Sequence, residues 1–302
     1  MLTDYYYDFS REMEKNFSRL VFNSDGIPMI NYGKKIGRQY NPEAIAEYSL
    51  AHFSLYVKTK DDKYKKTFLN GANWFLENVS NYKYDSLVWF YEFDLTEYGM
   101  AEYELKSPWI SAMAQGMVVS VLVRAAQLEG NNKYLDIAEK AVNIFDYTVH
   151  ECGVMSNFSD GEIIFEEFPT SSTNGVLNGF IFSILGLYDL FTFTKNEKAK
   201  KLFTQSIQSL RKNIMNYDAG YWSRYDLRSD RRLTSIEYHK LHLELLEILY
   251  RITKDTYFIE IKNKWNGYYE SLYCRVRFIF KKLVQKISQL FRRIHFILSE
   301  KS

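Results

Sequence analysis

Four short polar turns recur along the chain: TKDDKY at 59–64, EGNNKY at 129–134, TKNEKA at 194–199 and TKDTYF at 253–258. Aligned on Tyr64, Tyr134, Ala199 and Phe258, they stand 70, 65 and 59 residues apart, and the apolar positions around them coincide. Leu55, Ala125, Leu190 and Leu249 fall together before the turn, as do Ala51, Val121, Gly186 and Leu245 four residues earlier. Phe75, Phe145, Leu210 and Tyr269 coincide after it. Apolar residues four apart share a helical face. Each unit therefore reads as a helical hairpin whose apolar stripe needs a neighbouring unit to cover it. Four hairpins with drifting spacing predict a mainly α fold, an α/α-toroid, with an open solenoid as the alternative.

Composition agrees. With 46% hydrophobic residues the chain can fill a large core, and 14 Gly and 4 Pro in 302 residues are too few for a many-stranded sandwich. The expected organisation is an N-terminal arm with a β-hairpin at 1–40, an α/α-barrel at 41–270 and a basic amphipathic helix at 271–302. Cys152 and Cys274 lie far apart and fit no metal-ligand spacing, so neither a disulfide scaffold nor a metal site is expected. The opening MLTDYYYDFSREMEKNF lacks the basic-then-apolar pattern of a secretory signal. No run approaches about eighteen uninterrupted apolar residues. The cytoplasm is the expected compartment, and no cofactor is expected.

Between hairpins, at 17–40, 80–110, 150–175 and 213–235, aromatics and turn signals accumulate. Ser24-Asp25-Gly26, Ser159-Asp160-Gly161 and Asp218-Ala219-Gly220 read as tight turns between short strands. In a toroid such connectors gather at one end, over the central cavity, and connectors on a rigid scaffold are where function concentrates. Three clusters there carry chemistry: EEFPT at 166–170 with LNGF at 177–180, YWSRYDLR at 221–228, and EYHKLH at 237–242. Each also has a plainer reading. Glu166 and Glu167 on a strand would face opposite ways, leaving one as a solvated charge. Asp226 and Arg228 fit a loop ion pair, and Asn178 fits a helix cap. His239 and His242 are three apart, a metal-compatible spacing without a third ligand.

Taken together with their surroundings, the clusters resemble a known family. SPWISAMAQGMVVSVLVRAAQ at 107–127, EEFPT and VLNGFIFSILGLYDL within 166–190, and YWSRYDLR with EYHKLHLELLEILYRIT within 221–253 resemble the C-terminal domain of D-glucuronyl C5-epimerases. NPEAIAEYSLAHFSLYV at 41–57 is similar to the start of that domain, so the likeness runs colinearly over roughly residues 20–270. It implies an α/α-barrel, an acidic heparosan-type polysaccharide as substrate, and inversion of glucuronate to iduronate. It further implies proton transfer by Tyr225 and Tyr238, an acidic site residue at Glu167, and substrate binding by Arg228 and Asn178. Glu166, His239 and Trp222 are the remaining candidate substrate contacts.

The chemistry constrains these residues. Epimerising a uronate at carbon 5 removes a proton beside a carboxylate and returns one to the other face. A cation must hold that carboxylate in advance, and Arg228 is the expected one. A phenol, with a free pKa near ~10, needs a nearby cation before it acts as a base. The expected arrangement sets Tyr238 and Glu167 on opposite faces of the sugar, with Tyr225 assisting. Two departures stand out. The family pattern EEYPT has Phe168 here, without a hydroxyl. Animal members also carry N-terminal β-rich domains that supply tyrosines, whereas about forty residues precede the first hairpin here. Tyr32, Arg38, Gln39 and Tyr40, or a second subunit in a homodimer, are candidates to complete the cleft. Rival readings are a uronate lyase, which shares the carbanion, and a non-catalytic polysaccharide-binding barrel.

Net charge is +2, unevenly placed: from Arg275 onward eight basic residues face Glu300 alone, +7, which leaves −5 on the rest. Val276, Phe280, Leu283, Ile287, Leu290, Ile294 and Ile297 form a helical apolar seam in this segment. Residues 275–298 are therefore expected at an anionic membrane surface, with packing on the barrel as the alternative. Nucleic acid is not expected, because the body is acidic.

Overall fold

The computed structural model describes residues 4–11, 13, 17–96 and 100–299, with side chains to 294. All four hairpins form. α1 (Pro42–Thr59) and α2 (Asp62–Glu77) make the first, and α3 (Ala112–Glu129) and α4 (Lys133–Ala141) the second. α5 (Leu177–Thr194) and α6 (Glu197–Asn213) make the third, and α7 (Ile236–Thr253) and α8 (Thr256–Glu270) the fourth. Each turn is built alike. The first helix ends on a left-handed residue, Lys60, Gly130, Lys195 or Lys254, whose N–H donates to the carbonyl four residues back. Asp61, Asn196 or Asp255 then caps the next helix in three of the four. α4 is shorter than its repeat mates and passes into a 3-10 turn at Val142–Asp146, which keeps Phe145 in the core.

Every repeat-aligned apolar position is buried except Leu55 and Tyr269, which are half-buried. α1, α3, α5 and α7 form the inner wall, and their partners the outer one. α3 and α5 approach most closely because glycines face each other. A Cβ on Gly116 would lie 2.6 Å from the Cα of Ser183, and one on Gly186 would lie 2.1 Å from the carbonyl oxygen of Gly116. α5 is long and apolar enough to cross a membrane by composition, but 72% of it is buried inside the protein, as an inner helix requires.

The connectors supply short antiparallel ladders. β1 (Leu20–Phe22), β2 (Pro28–Asn31) and β3 (Arg38–Tyr40) make a three-stranded meander, one strand more than the expected hairpin. β4 (Ser80–Tyr82) pairs with β5 (Ser86–Val88), and β6 (Met155–Asn157) with β7 (Ile163–Phe165). Gly26, Gly161 and Gly220 take positive φ at the three predicted turns. The meander leads into α1 and each later connector runs from an outer helix to the next inner one, so all of them gather where the inner helices begin. The N-terminal arm spans the first and last hairpins: the Ser54 hydroxyl donates to Asp4 at 2.6 Å, and Arg11 pairs with Glu244 at 3.0 Å.

α9 (Leu272–Ser299) turns back along this mouth. Its Phe278 stacks on Trp222 at 4.3 Å, Gln285 donates to the Arg231 carbonyl at 3.0 Å, and Arg292 pairs with Asp230 at 3.3 Å. The basic helix is thus docked on the barrel along one side.

Candidate active site

The second residue of each inner helix follows the repeat spacing: Glu43, Met113, Asn178 and Glu237. All four line one cavity of about 240 Å³. One turn further on, Glu47, Phe182 and Leu241 continue its wall, Tyr238 completes it, and Tyr7, Phe9 and Phe17 of the arm close it. Four helix N-termini therefore surround this space, each contributing partial positive charge that favours an anion.

The acidic side chains work against that potential. Glu43 and Glu47 sit one turn apart on α1 and face the cavity, while Glu167 is buried beside it. Desolvation pushes Glu43 up to about 7 and Glu47, with help from Glu43, up to about 8. Desolvation, then Glu43 and Glu47, hold Glu167 well above the usual carboxylate range. Room for Glu167 depends on Gly179, where a Cβ would lie 2.5 Å from Oε2 and 2.7 Å from the glutamate's own Cβ. Sequence reasoning passed over Glu43, Glu47 and Glu237; their signal was the repeat itself, extended to the helix starts.

Tyr225 and Tyr238 meet edge-on at 5.1 Å beside these carboxyls. Burial raises both phenols, and the Glu167 charge raises them further; a hydrogen bond from Tyr225 partly offsets this at Tyr238. Both are therefore neutral donors at ordinary pH. On their other side opens a cleft of about 570 Å³ between the connector and α9, lined by Arg232, Lys282, Lys286, Tyr225 and Tyr238. Tyr238 thus stands between an acidic cavity and a cationic cleft, and it lines both.

The cation beside the phenols is Arg232, not Arg228. The Arg232 guanidinium lies 5.4 Å from the Tyr225 ring centre, and its Nε donates to buried Asp226 at 2.7 Å. Arg228 instead lies 4.0 Å over the ring of Tyr103, with Nη2 3.1 Å from Met100 Sδ and Nε 3.6 Å from Asp230. A short backbone path explains the exchange: Tyr225 N–H donates to the Arg232 carbonyl, folding residues 225–232 into a loop that returns the later arginine to the tyrosine.

Asn178 does reach the cavity. The cap of α5 is Val176, so Asn178 is not spent on capping; its buried Oδ1 accepts no hydrogen bond among the described residues. Glu166 does not reach it. Just past the end of β7, it is fully buried and accepts the Gly175 N–H at 3.0 Å, its pKa pushed up to about 8 by desolvation. His239 and Trp222 are core residues rather than substrate contacts: their rings stack at 4.0 Å, fully buried. His239 Nε2 donates to the Trp265 carbonyl at 3.1 Å, which leaves Nδ1 to accept from the Ser223 hydroxyl at 2.7 Å. Desolvation lowers His239 to about 4 and His242 to about 3, so both are neutral braces. Phe168 packs with Trp109, ring centres 6.0 Å apart, in a small aromatic cluster that includes Tyr32. Among the described residues no group of His, Cys, Asp and Glu is placed to hold a metal ion.

Such an arrangement can take a proton on one side of a bound molecule and give one on the other, with cations beside an acidic substituent. A family model described as the D-glucuronyl C5-epimerase C-terminus matches residues 83–267. A D-glucuronyl C5-epimerase of Caenorhabditis elegans is 32% identical over 231 residues, which is 70% of this chain but only 36% of that protein. An uncharacterized protein of Methanocaldococcus jannaschii is 27% identical over 271 residues, covering 83% of this chain and 86% of the other. Among solved structures, a D-mannose isomerase aligns with a TM-score of 0.54 at 10% identity, covering 87% of this chain and 68% of that one. A cellobiose 2-epimerase from Bacillus thermoamylovorans aligns at 0.51 and 16%, covering 80% and 64%. A GH76 α-mannanase from Bacteroides thetaiotaomicron aligns at 0.51 and 13%, covering 83% and 67%. At those identities the likeness is one of fold, the α/α-toroid.

Proposed function

Because the chain belongs to the D-glucuronyl C5-epimerase family, matching its C-terminal domain, we propose that it inverts carbon 5 of glucuronate to iduronate residues in a heparosan-like acidic polysaccharide. One observation carries the reading: the Tyr225–Tyr238 pair separates clustered carboxyls from a cationic cleft. The sugar carboxylate lies toward Arg232 and Lys282, with the helix N-termini adding positive potential as charge develops on it. The sugar ring then sits on the carboxyl side of Tyr238, with only its carboxylate reaching past the phenols toward Arg232, so that carbon 5 lies between the phenols and the carboxyl cluster.

Proton movement follows from the titration order. Three crowded carboxyls cannot all ionise, so the cluster holds some protons near neutrality, a state suited to both taking and giving one. Glu43, the easiest of the three to ionise, takes the proton held by Glu167, whose carboxylate then removes the proton from carbon 5 as the electron pair spreads into the sugar carboxylate. Tyr238, still a phenol, returns a proton to the opposite face, and Tyr225 hydrogen-bonds the oxygen left behind. The reverse direction exchanges the roles. The proton gained by the carboxyl cluster returns to the Tyr238 phenolate before the next turnover, so atoms and charge balance without a cofactor.

The test is incubation with heparosan in deuterium oxide, reading label at carbon 5 by NMR. Wild-type label with clean inversion is expected, and Tyr238→Phe and Glu167→Gln should each lower it by about 10²–10⁴. Full exchange in both variants removes the assignment. An absorbing unsaturated uronate would make the enzyme a lyase, and binding without label would leave a carbohydrate-binding barrel.

A further inference from the structure

The basic helix α9 carries two opposed faces. Its burial recurs at helical spacing: Phe278 is buried, and Cys274, Lys282, Gln285 and Arg292 are half-buried against the connector at 221–233. On a wheel of about 100° per residue, the opposite side holds Val276, Phe280, Leu283, Ile287, Leu290 and Ile294. They are 58, 69, 55, 46, 57 and 45% exposed. Docking therefore uses the polar side of the helix and turns the apolar seam outward. A soluble surface rarely shows so continuous an apolar stripe without a use for it.

Charge says what covers it. From Leu272 to Ser299 the helix has no Asp or Glu, and exposed Arg275, Lys281, Lys286 and Arg293 flank the seam. Pairing with a second copy would set these flanks against one another with no acid on either helix to relieve them. A surface that is apolar beneath and anionic above takes both features at once. We propose that α9 is a membrane-docking helix that inserts its seam between anionic phospholipids, while its inner side stays on the barrel. The cationic cleft lies under this same helix, so docking would hold the cleft mouth at the lipid surface. The inference stands on exposure and charge and does not depend on the epimerase reading.

Flotation of the full chain with vesicles tests it, using phosphatidylglycerol mixed into phosphatidylcholine against phosphatidylcholine alone. Binding at least about tenfold tighter to the anionic vesicles is expected. The variant Leu283→Asp/Ile287→Asp/Leu290→Asp should lose at least about tenfold of that binding. Its thermal unfolding should match wild type, since all three positions are exposed. Arg275→Glu/Arg293→Glu should abolish the preference for anionic lipid while leaving the seam intact. Wild-type protein that does not float, or a triple variant that floats as well as wild type, overturns the proposal. So does a wild-type dimer in solution that the triple variant dissolves without any vesicle binding, because the seam would then belong to a second copy.

Discussion

The inner helices treat charge in opposite ways at their two ends. Near the polar turns, Arg124 and Asp189 occupy repeat-equivalent positions, 65 residues apart like their hairpins, and both are fully buried. Arg124 donates to both carboxylate oxygens, at 2.5 and 3.3 Å, and Tyr6 adds its hydroxyl at 2.6 Å. The rings of Tyr5 and Tyr6 cover the guanidinium at 4.8 and 5.6 Å. At the mouth, roughly 16 Å back along the same helices, the enclosed groups are Glu43, Glu47 and Glu167, all of one sign. The turn end is neutralised and capped by aromatic rings. The mouth is left with carboxyls that hold protons they would otherwise lose. Unlike buried charges closed by a partner, like charges gathered at a cavity mark a place kept for chemistry rather than for stability.

The largest effect should fall on the closed end. Arg124→Met leaves the Asp189 carboxylate buried without its partner, which should lower the unfolding free energy by ~3–5 kcal/mol. Urea denaturation reads the loss. Arg124→Met/Asp189→Leu should recover most of it, because two apolar groups replace a pair rather than stranding half of one. A single variant within ~1 kcal/mol of wild type would mean the pair is no more than decoration, and the contrast between the ends would go with it.

At the mouth the sign should reverse. Glu167→Gln removes repulsion and should leave stability unchanged or raise it by ~1 kcal/mol, even as carbon 5 exchange fails. The dependence on pH sharpens this. Glu43 and Glu47 are raised in the folded state, to about 7 and about 8, so the folded protein binds protons that the unfolded chain has released. Their contribution is complete below the ordinary carboxylate pKa and is lost as pH rises through about 7 and 8, with a slope of up to ~1.4 kcal/mol per pH unit for each group. His239 and His242 act oppositely. Held neutral, with pKa values of about 4 and about 3, they contribute stability above the free imidazole pKa and lose it as pH falls toward those values. Thermal unfolding from pH 6.5 to 8 should therefore show a falling midpoint that Glu47→Gln flattens. A wild-type midpoint that rises over that window would contradict the protonated cluster.

The same contrast separates what was legible in the sequence from what was not. The turn end was readable because it is local: four polar turns and apolar residues four apart state the hairpins outright, just as Gly26, Gly161 and Gly220, equally local, state the tight turns of the connectors at the mouth. Tyr225, Tyr238, Glu167 and Asn178 were legible as motif residues, and the fold brings them to one place. Arg228 was misplaced because spacing along a loop does not say which arginine returns to the phenols; the backbone pairing of Tyr225 with Arg232 decides that. His239 and Trp222 looked functional because polar rings in a connector cluster do so, yet they stack on each other and α9 covers Trp222 with Phe278. Glu43 and Glu47 were passed over because two glutamates at the start of a helix read as ordinary solvated residues. Only the ring, which brings four helix starts together, makes them neighbours of Glu167.

The smallest effect probes whether the two ends are independent. Lys60, Lys195 and Lys254 close their helices in the left-handed conformation, where a side chain costs roughly 1–2 kcal/mol. Gly130 holds the equivalent position without that strain, and a Cβ there would meet nothing within 4 Å. Glycine at each lysine relieves the clash between Cβ and carbonyl but loosens the unfolded chain, so each replacement should gain only ~0.5 kcal/mol. Gly130→Lys should lose a similar amount, giving three small gains and one small loss at four related turns. Differential scanning calorimetry of the triple Lys60→Gly/Lys195→Gly/Lys254→Gly protein should show a midpoint raised by a few degrees. Its carbon 5 exchange should remain at the wild-type rate, because the turns stand at the far end of the inner helices from Tyr238. A change in rate that tracked the midpoint would show that stiffness at the closed end reaches the mouth, and the division of labour between them would have to be redrawn.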